Sequence, residues 1–196
     1  MSEENSIKEM RKLLDESTKV FQNKGAKLKN QECYDKDGNF LGWFSRSTAV
    51  VCVIIDGDSD PTVPKIVVGK RGKGCPDYVG YWNLICGYVD FNETIEQSAS
   101  RETYEECGLR IPPEAWHIDS INSDPNSDKR QNISLRMWAY YKPEYGTFSF
   151  ENSEQDEVDE IKWVEENDVD NMNWAFNHRE LVKKYLEEMK KLVEYI

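Results

Sequence analysis

Apolar positions recur along this chain in two periods, and the change from one to the other marks out its elements. From Thr48 the run TAVVCVIID is almost continuously apolar and β-branched. A strand buried on both faces reads this way, so the run predicts a central strand. After the loop GDSDPTVP, KIVVGKRG predicts a second strand, on which Lys70 and Arg71 face opposite sides. Glycines and Pro76 mark the loop that follows. In GYWNLICGYVD, Trp82, Leu84 and Cys86 share one strand face. WHIDSINSD and RQNISLRMWAYY predict two strands joined across the turn-rich SDPNSDKR. TFSFE and EVDEIKWVE are shorter strand candidates, with Trp163 filling the core between them. Upstream, the Asp-Gly of CYDKDGNF sits between alternating segments and predicts a hairpin.

The helical period appears three times. Ile7, Met10, Leu13, Leu14, Val20 and Phe21 predict an amphipathic helix near the start, either a dimer contact, a lid or simple packing. Leu181, Tyr185, Met189, Leu192 and Ile196, flanked by Val182, Leu186 and Val193, predict a long terminal helix covering the sheet. Between them, Thr94 as N-cap, Gln97 closing a capping box, and Gly108 followed by Pro112 and Pro113 bound a helix over Ile95–Cys107. The order predicts an α/β (α+β) chain with helices layered on a mixed β-sheet. We divide it into a helix and hairpin extension (1–44), a central domain (45–166) and a terminal helix packed on it (167–196).

Composition narrows the class. With 196 residues and 38% hydrophobic content the chain can bury one substantial core. A net charge of -12 argues against a nucleic-acid partner. Five cysteines without C-x-x-C spacing suggest neither a zinc site nor a disulfide framework, and imply buried thiols in a reducing compartment. MSEENSIKEM lacks the blocks of a signal peptide, and no run of about 18 apolar residues occurs. The expectation is a soluble, cytoplasmic protein with no membrane partner. His117 and His178 stand alone and read as surface or cap residues.

The chemistry concentrates in the middle helix. At about 100° per residue, Glu102 and Glu106 fall one turn apart on the face of Ile95, beside Ala99 and Thr103, with Glu105 on the flank. Gln97, Ser100 and Tyr104 point away. A merely solvated helix would put its acids on that far side. Carboxylates converging on a semi-buried surface repel unless a cation lies among them, and hard oxygen donors suit Mg²⁺ or Mn²⁺.

The surrounding stretch, GYVDFNETIEQSASRETYEECGL, reads G-x5-E-x7-R-E-U-x-E-E-x-G-U, with Gly87, Glu93, Arg101, Glu102, Glu105, Glu106 and Gly108 in register. It closely resembles the Nudix box, departing at Thr103, where that family prefers a bulky aliphatic residue, and at Ile85-Cys86, where it usually has Pro-Gly. The resemblance implies a Nudix-like α/β/α sandwich over about 45–166. It also implies Mg²⁺ or Mn²⁺ held by Glu102, Glu105, Glu106 and the Gly87 carbonyl, with Arg101 paired to Glu93 to position the carboxylates. The catalytic base would be Glu102 or a late acid, for which Glu157, six residues before Trp163, has a similar spacing to that of some members; Glu151, Glu154 and Asp156 lie in the same acidic run.

The implied reaction is hydrolysis of the pyrophosphate bond of a nucleoside diphosphate linked to another moiety, ADP-ribose-like or dinucleotide. A house-cleaning pyrophosphohydrolase for modified nucleoside triphosphates is a second reading, and a non-catalytic nucleotide-sensing module a third. The complete set of box carboxylates counts against the third. Substrate candidates are Arg46, Arg71, Arg130, Asp128 and Tyr81, with Tyr78 and Trp138 as further surfaces for a base to stack on. A small-molecule nucleotide is the partner expected, and the resemblance together with the first helix suggests a homodimer.

Overall fold

The computed structural model describes residues 31–56, 62–127, 131–149, 151 and 156–194. The expected helix at Ile7–Phe21, the loop residues Asp128 and Arg130, and Glu154 lie outside them. The chain divides into two units, Met1–Ser45 and Arg46–Ile196.

In the first unit, β1 (Gln31–Tyr34) and β2 (Phe40–Phe44) form an antiparallel hairpin. Its turn is tied by Asp35, whose Oδ1 accepts the N–H groups of Asp37 at 2.9 Å and Asn39 at 2.8 Å. Gly38 takes a φ of 83°, the left-handed region that costs other residues strain.

The second unit is built on β3 (Thr48–Asp56), where every residue from Val50 to Ile55 is at most 5% exposed. One edge of β3 runs parallel to β8 (Ile133–Tyr141) along its whole length. Its other edge is shared. Ala49–Cys52 pair with β6 (Ile85–Tyr88), whereas Ile55 and Asp56 pair with β4 (Lys65–Arg71). β4 in turn carries β5 (Trp82–Asn83) and β9 (Val158–Val164), and β7 (His117–Asn122) pairs with β8. All described pairings of this mixed sheet except β3 with β8 are antiparallel.

Alternation along β3 sends its side chains to two cores. Val50, Cys52 and Ile54 pack with Met137, Ala139 and helix α1 (Ile95–Cys107) on one face. Val51, Val53 and Ile55 pack on the other face with helix α3 (His178–Glu194), through Leu181, Val182, Tyr185 and Leu186. A short helix, α2 (Glu166–Val169), precedes α3 and buries Val169 in the same second core. The result is an α+β fold with a helix layer on each side of a mixed sheet. No described helix is long and apolar enough to cross a membrane.

Two local expectations need correction. TFSFE forms no strand in its described residues. Residues 146–149 instead close over the end of α1, where the Ser149 N–H donates to the Cys107 carbonyl at 3.0 Å and Ser149 leaves no room for a side chain at Gly108. Of the two readings for His178, surface or cap, the surface one falls. The residue begins α3 at 4% exposure. All five cysteines are free thiols, two of them buried and three half-buried.

Candidate active site

Helix α1 begins as its capping signals require: Thr94 Oγ1 accepts the Gln97 N–H at 3.3 Å, and Gln97 Oε1 accepts the Thr94 N–H at 2.8 Å. It ends at Gly108 with φ 79°, whose N–H reaches the Tyr104 carbonyl at 2.9 Å. These caps fix the rotation of the helix. Ala99, Thr103 and Cys107 are buried, and the turn of Glu102 and Glu106 lies along the margin of the sheet at β6. Ser100 is half covered by Trp116, whose indole N–H donates to it at 3.2 Å.

Arg101 is the hub of the arrangement. Its Nε and Nη2 grip Glu93 at 3.1 and 2.8 Å, while Nη1 donates to Glu102 at 2.8 Å and to Glu105 at 3.0 Å. Nη2 also reaches the Tyr88 carbonyl at 2.9 Å. The five guanidinium N–H groups are thus spoken for, and the cation ties three carboxylates to the end of β6. Arg101 holds the Glu93 carboxyl down at about 2.

Glu102 and Glu106 behave in the opposite way. Burial lifts Glu102 to about 7, against the pull of Arg101. Burial also raises Glu106 well above the carboxylate range, and neighbouring Glu102 adds to the rise. Glu106 finds one partner in the Cys86 N–H, at 3.2 Å from its Oε2. Gly87 lies against Glu102. A Cβ placed there would stand 2.0 Å from Glu102 Oε1, so glycine is what lets this carboxylate rest on the strand.

These groups open onto a cavity of about 390 Å³. Its sheet wall follows from register. Asn122, Ser134, Ala49 and Tyr88 form one cross-strand row, and Arg136, Val51 and Cys86 the next. All seven line the cavity. Glu157 reaches the cavity because the loop after β4 is pinned to the loop before β9, Gly72 N–H to the Glu157 carbonyl at 2.7 Å and Gly74 N–H to the Asp156 carbonyl at 3.0 Å. Arg71, 9% exposed, lines the same cavity, held by the Asp77 carbonyl and carboxylate at 3.1 Å each. Burial and Glu106 push the Cys86 thiol up to about 12, which leaves it a neutral lining group.

Of the residues singled out from sequence, Gly87, Arg101, Glu102, Glu105, Glu106, Glu157 and Arg71 are brought to one cavity. Glu93 stands behind them through Arg101. Arg46 is elsewhere engaged, donating to the carbonyls of Gln131, Ser123 at 2.9 Å and Asn132 at 3.1 Å, where it fastens the loop between β7 and β8. Tyr81 and Tyr78 form an edge-on pair at 5.6 Å, and Trp138 stacks on His117 at 4.5 Å; none of them lines the cavity. Asp156 pairs with Lys73 at 3.0 Å, and Glu151 is exposed. The sequence reading missed Arg136, Phe176 and His178, which do line the cavity. Arg136 was legible in principle as a cation inside an apolar strand, whereas the α3 start carries no motif.

The donor set has the chemistry of a hard-cation site: oxygens only, two of them on carboxyls that burial raises above their ordinary range, beside a glycine that admits close approach. In this arrangement Glu102 and Glu105 are turned onto Arg101, and among the described residues no group of three or more His, Cys, Asp or Glu side chains is gathered closely enough to hold a metal ion.

Comparison with known proteins gives one consistent answer. A family model described as NUDIX domain matches residues 45–185. The chain is 21% identical over 120 residues to the chloroplastic Nudix hydrolase 19 of Arabidopsis thaliana, a match covering 61% of this chain and 25% of that protein. The chain therefore spans about a quarter of the length of the curated relative it matches. Among solved structures, it resembles the NUDIX domain of Shewanella oneidensis NrtR complexed with ADP ribose, at a TM-score of 0.62 and 20% identity over 80% of this chain and 94% of that one. It also resembles a MutT/nudix family protein from Enterococcus faecalis, at 0.62 and 22% over 79% and 66%. A third is a bifunctional NMN adenylyltransferase/ADP ribose pyrophosphatase from Francisella tularensis with AMP and a Mn ion, at 0.58 and 20% over 74% and 42%.

Proposed function

The chain belongs to the Nudix family, and from that premise we propose that it is a divalent-metal-dependent pyrophosphohydrolase acting on a nucleoside diphosphate linked to another moiety. One observation carries the reading. A single arginine, Arg101, organises Glu93, Glu102 and Glu105 beside Glu106, at the edge of a cavity that also holds Glu157 and Arg71.

In this reading Glu102, Glu105, Glu106 and the Gly87 carbonyl hold Mg²⁺ or Mn²⁺, which when bound neutralises charge at phosphorus and lowers the pKa of the attacking water. Arg101 and Glu93 are positioning residues that set the directions of the carboxylates. Arg71 presents a cation to the phosphate oxygens. Glu157, lining the same cavity, takes the proton of the attacking water, with Glu102 as the competing base. An ADP-ribose-like substrate is favoured over a modified nucleoside triphosphate, in keeping with the ligands named for the similar structures. Assignment to the cytoplasm and dimerisation belong to the same proposal.

A panel of ADP-ribose, diadenosine polyphosphates, nucleotide sugars and modified dNTPs, assayed by phosphate-coupled turnover with Mg²⁺, Mn²⁺ or chelator, tests it. Metal-dependent cleavage of the diphosphate-linked class is the expected result. Cleavage of modified dNTPs alone would move the substrate class. The carboxylates turned onto Arg101 favour one second reading, a nucleotide sensor. It takes the lead if every compound stays intact while one raises the thermal midpoint.

A further inference from the structure

Besides the carboxylates, the same cavity is lined by Arg136, His178 and Arg71, each with donor groups that no contact among the described residues uses. Arg136 stands half-buried on β8, across β3 from Cys86, and its side chain makes no hydrogen bond or ion pair with any described residue. A partly desolvated cation without a counter-charge is unfavourable, and none pairs with Arg136 among the described residues. His178 is 4% exposed, and its Nδ1 accepts the Leu84 N–H at 3.0 Å. That bond fixes the tautomer, leaving the ring proton on Nε2. Nε2 has no partner among the described residues, yet it is not one of the sealed polar atoms of the core. His178 lines the cavity. Arg71 uses Nε and Nη2 on Asp77, which leaves Nη1 for the cavity. Phe176 lies 5.3 Å under the Arg71 guanidinium and 5.2 Å from the His178 ring. Its φ of 55° is a conformation that bulky residues adopt only where the surroundings impose it.

We propose that Arg136 and His178 are substrate-recognition residues which, with Arg71, form a phosphoryl-binding wall facing the box carboxylates. The diphosphate lies between the two banks, the oxygens turned away from Glu102 and Glu106 taking hydrogen bonds from Arg136, Arg71 and the His178 Nε2–H. His178 serves as a neutral donor. Burial and the charges of Arg71 and Arg136 hold it down to about 3, so it neither gains charge nor loses its proton between pH 5 and 8. The start of α3 at the same rim adds the positive end of a 17-residue helix dipole. The inference rests on the diphosphate reading for its ligand class, but it makes a statement about binding that hydrolysis is not needed to test.

The probe is imidodiphosphate, a diphosphate that resists cleavage, titrated calorimetrically into the full chain in Mg²⁺ buffer. Arg136→Gln is expected to weaken its binding by about tenfold or more, the loss of one charge-assisted hydrogen bond, and Arg136→Lys to restore part of it. Because Arg136 has no hydrogen-bond or ion-pair partner to lose among the described residues, the thermal midpoint of Arg136→Gln should not fall. In a nitrogen-15 proton correlation spectrum, one of the two histidines should show the Nε2–H tautomer, and its resonance should move on adding imidodiphosphate. Unchanged affinity in Arg136→Gln, an unmoved imidazole, or no binding by the unaltered protein overturns the proposal. Arg136-dependent binding by a protein that cleaves nothing upholds it while the hydrolase reading falls.

Discussion

Replacing Glu93 by glutamine removes a charge while keeping the shape of the side chain. In the folded chain Glu93 is gripped by two N–H groups of Arg101, at 2.8 and 3.1 Å, and accepts the Asp90 N–H at 2.7 Å, with 14% of its side chain exposed. Its carboxyl is held at about 2 against an ordinary 4.5. At about 1.36 kcal/mol per pH unit, that difference is about 3 kcal/mol of preference for the ionised form. Arg101 keeps Glu102, Glu105 and the Tyr88 carbonyl as partners, and water reaches the rim, so we expect Glu93→Gln to cost about 1–2 kcal/mol. The pH dependence follows in sign. A carboxyl whose folded pKa is depressed contributes stability that is fully present above about 4.5 and lost as pH falls towards about 2. Urea unfolding of both proteins from pH 7 to 3 should therefore show a constant gap in midpoint above pH 5.5 that narrows in acid. Equal midpoints at pH 7, or a gap that stays constant down to pH 3, would refute the view that Glu93 anchors Arg101 electrostatically.

Other outcomes follow from the same geometry. Gly87→Ala puts a methyl group 2.0 Å from Glu102 Oε1, so the carboxylate must move; turnover should drop at least tenfold with urea stability changed by less than about 1 kcal/mol, and full activity would deny Glu102 a role. Glu106→Gln keeps an oxygen for the Cys86 N–H but gives up the charge, so it should lower kcat by two orders of magnitude or more while folding normally. A folded variant at full rate would remove Glu106 from the metal set. Thr103→Val deletes a fully buried hydroxyl left without a hydrogen-bond partner among the described residues, at close to constant volume, and should stabilise by about 0.5–2 kcal/mol in urea unfolding; a loss would show that the neighbouring Cys52 thiol bonds it. Gly72→Ala sets a Cβ 2.1 Å from the Asp156 carbonyl and must part the two loops, so both stability and the contribution of Glu157 should fall, read as a lower thermal midpoint and a lower kcat together.

Much of this protein was legible without coordinates because its signals are local. The box helix runs over Ile95–Cys107 as its caps dictate, since Thr94, Gln97 and Gly108 act on backbone groups within four residues of themselves. The centrality of TAVVCVIID followed from its having no polar face to offer water. The pairing of Arg101 with Glu93 was implied by a motif held in register along one segment, and the structure shows that contact.

What lay beyond the sequence are contacts between segments far apart in the chain. TFSFE has the composition of a strand, yet its described part is spent covering Gly108, and Arg46, a substrate candidate by charge alone, is consumed by three carbonyls around residues 123–132. His178 reads as an isolated histidine until the Leu84 N–H, 94 residues earlier, fixes its tautomer and the sheet buries its ring. Arg136 gains meaning only from parallel pairing with β3, which sets it in the same wall as Cys86. Sequence by itself determined the helix, its carboxylates and their anchoring arginine, because a helix carries its own hydrogen bonds and its own spacing. Which cations share a cavity with those carboxylates was decided by tertiary structure alone, because strand register and the close of the cavity are settled by packing between distant residues.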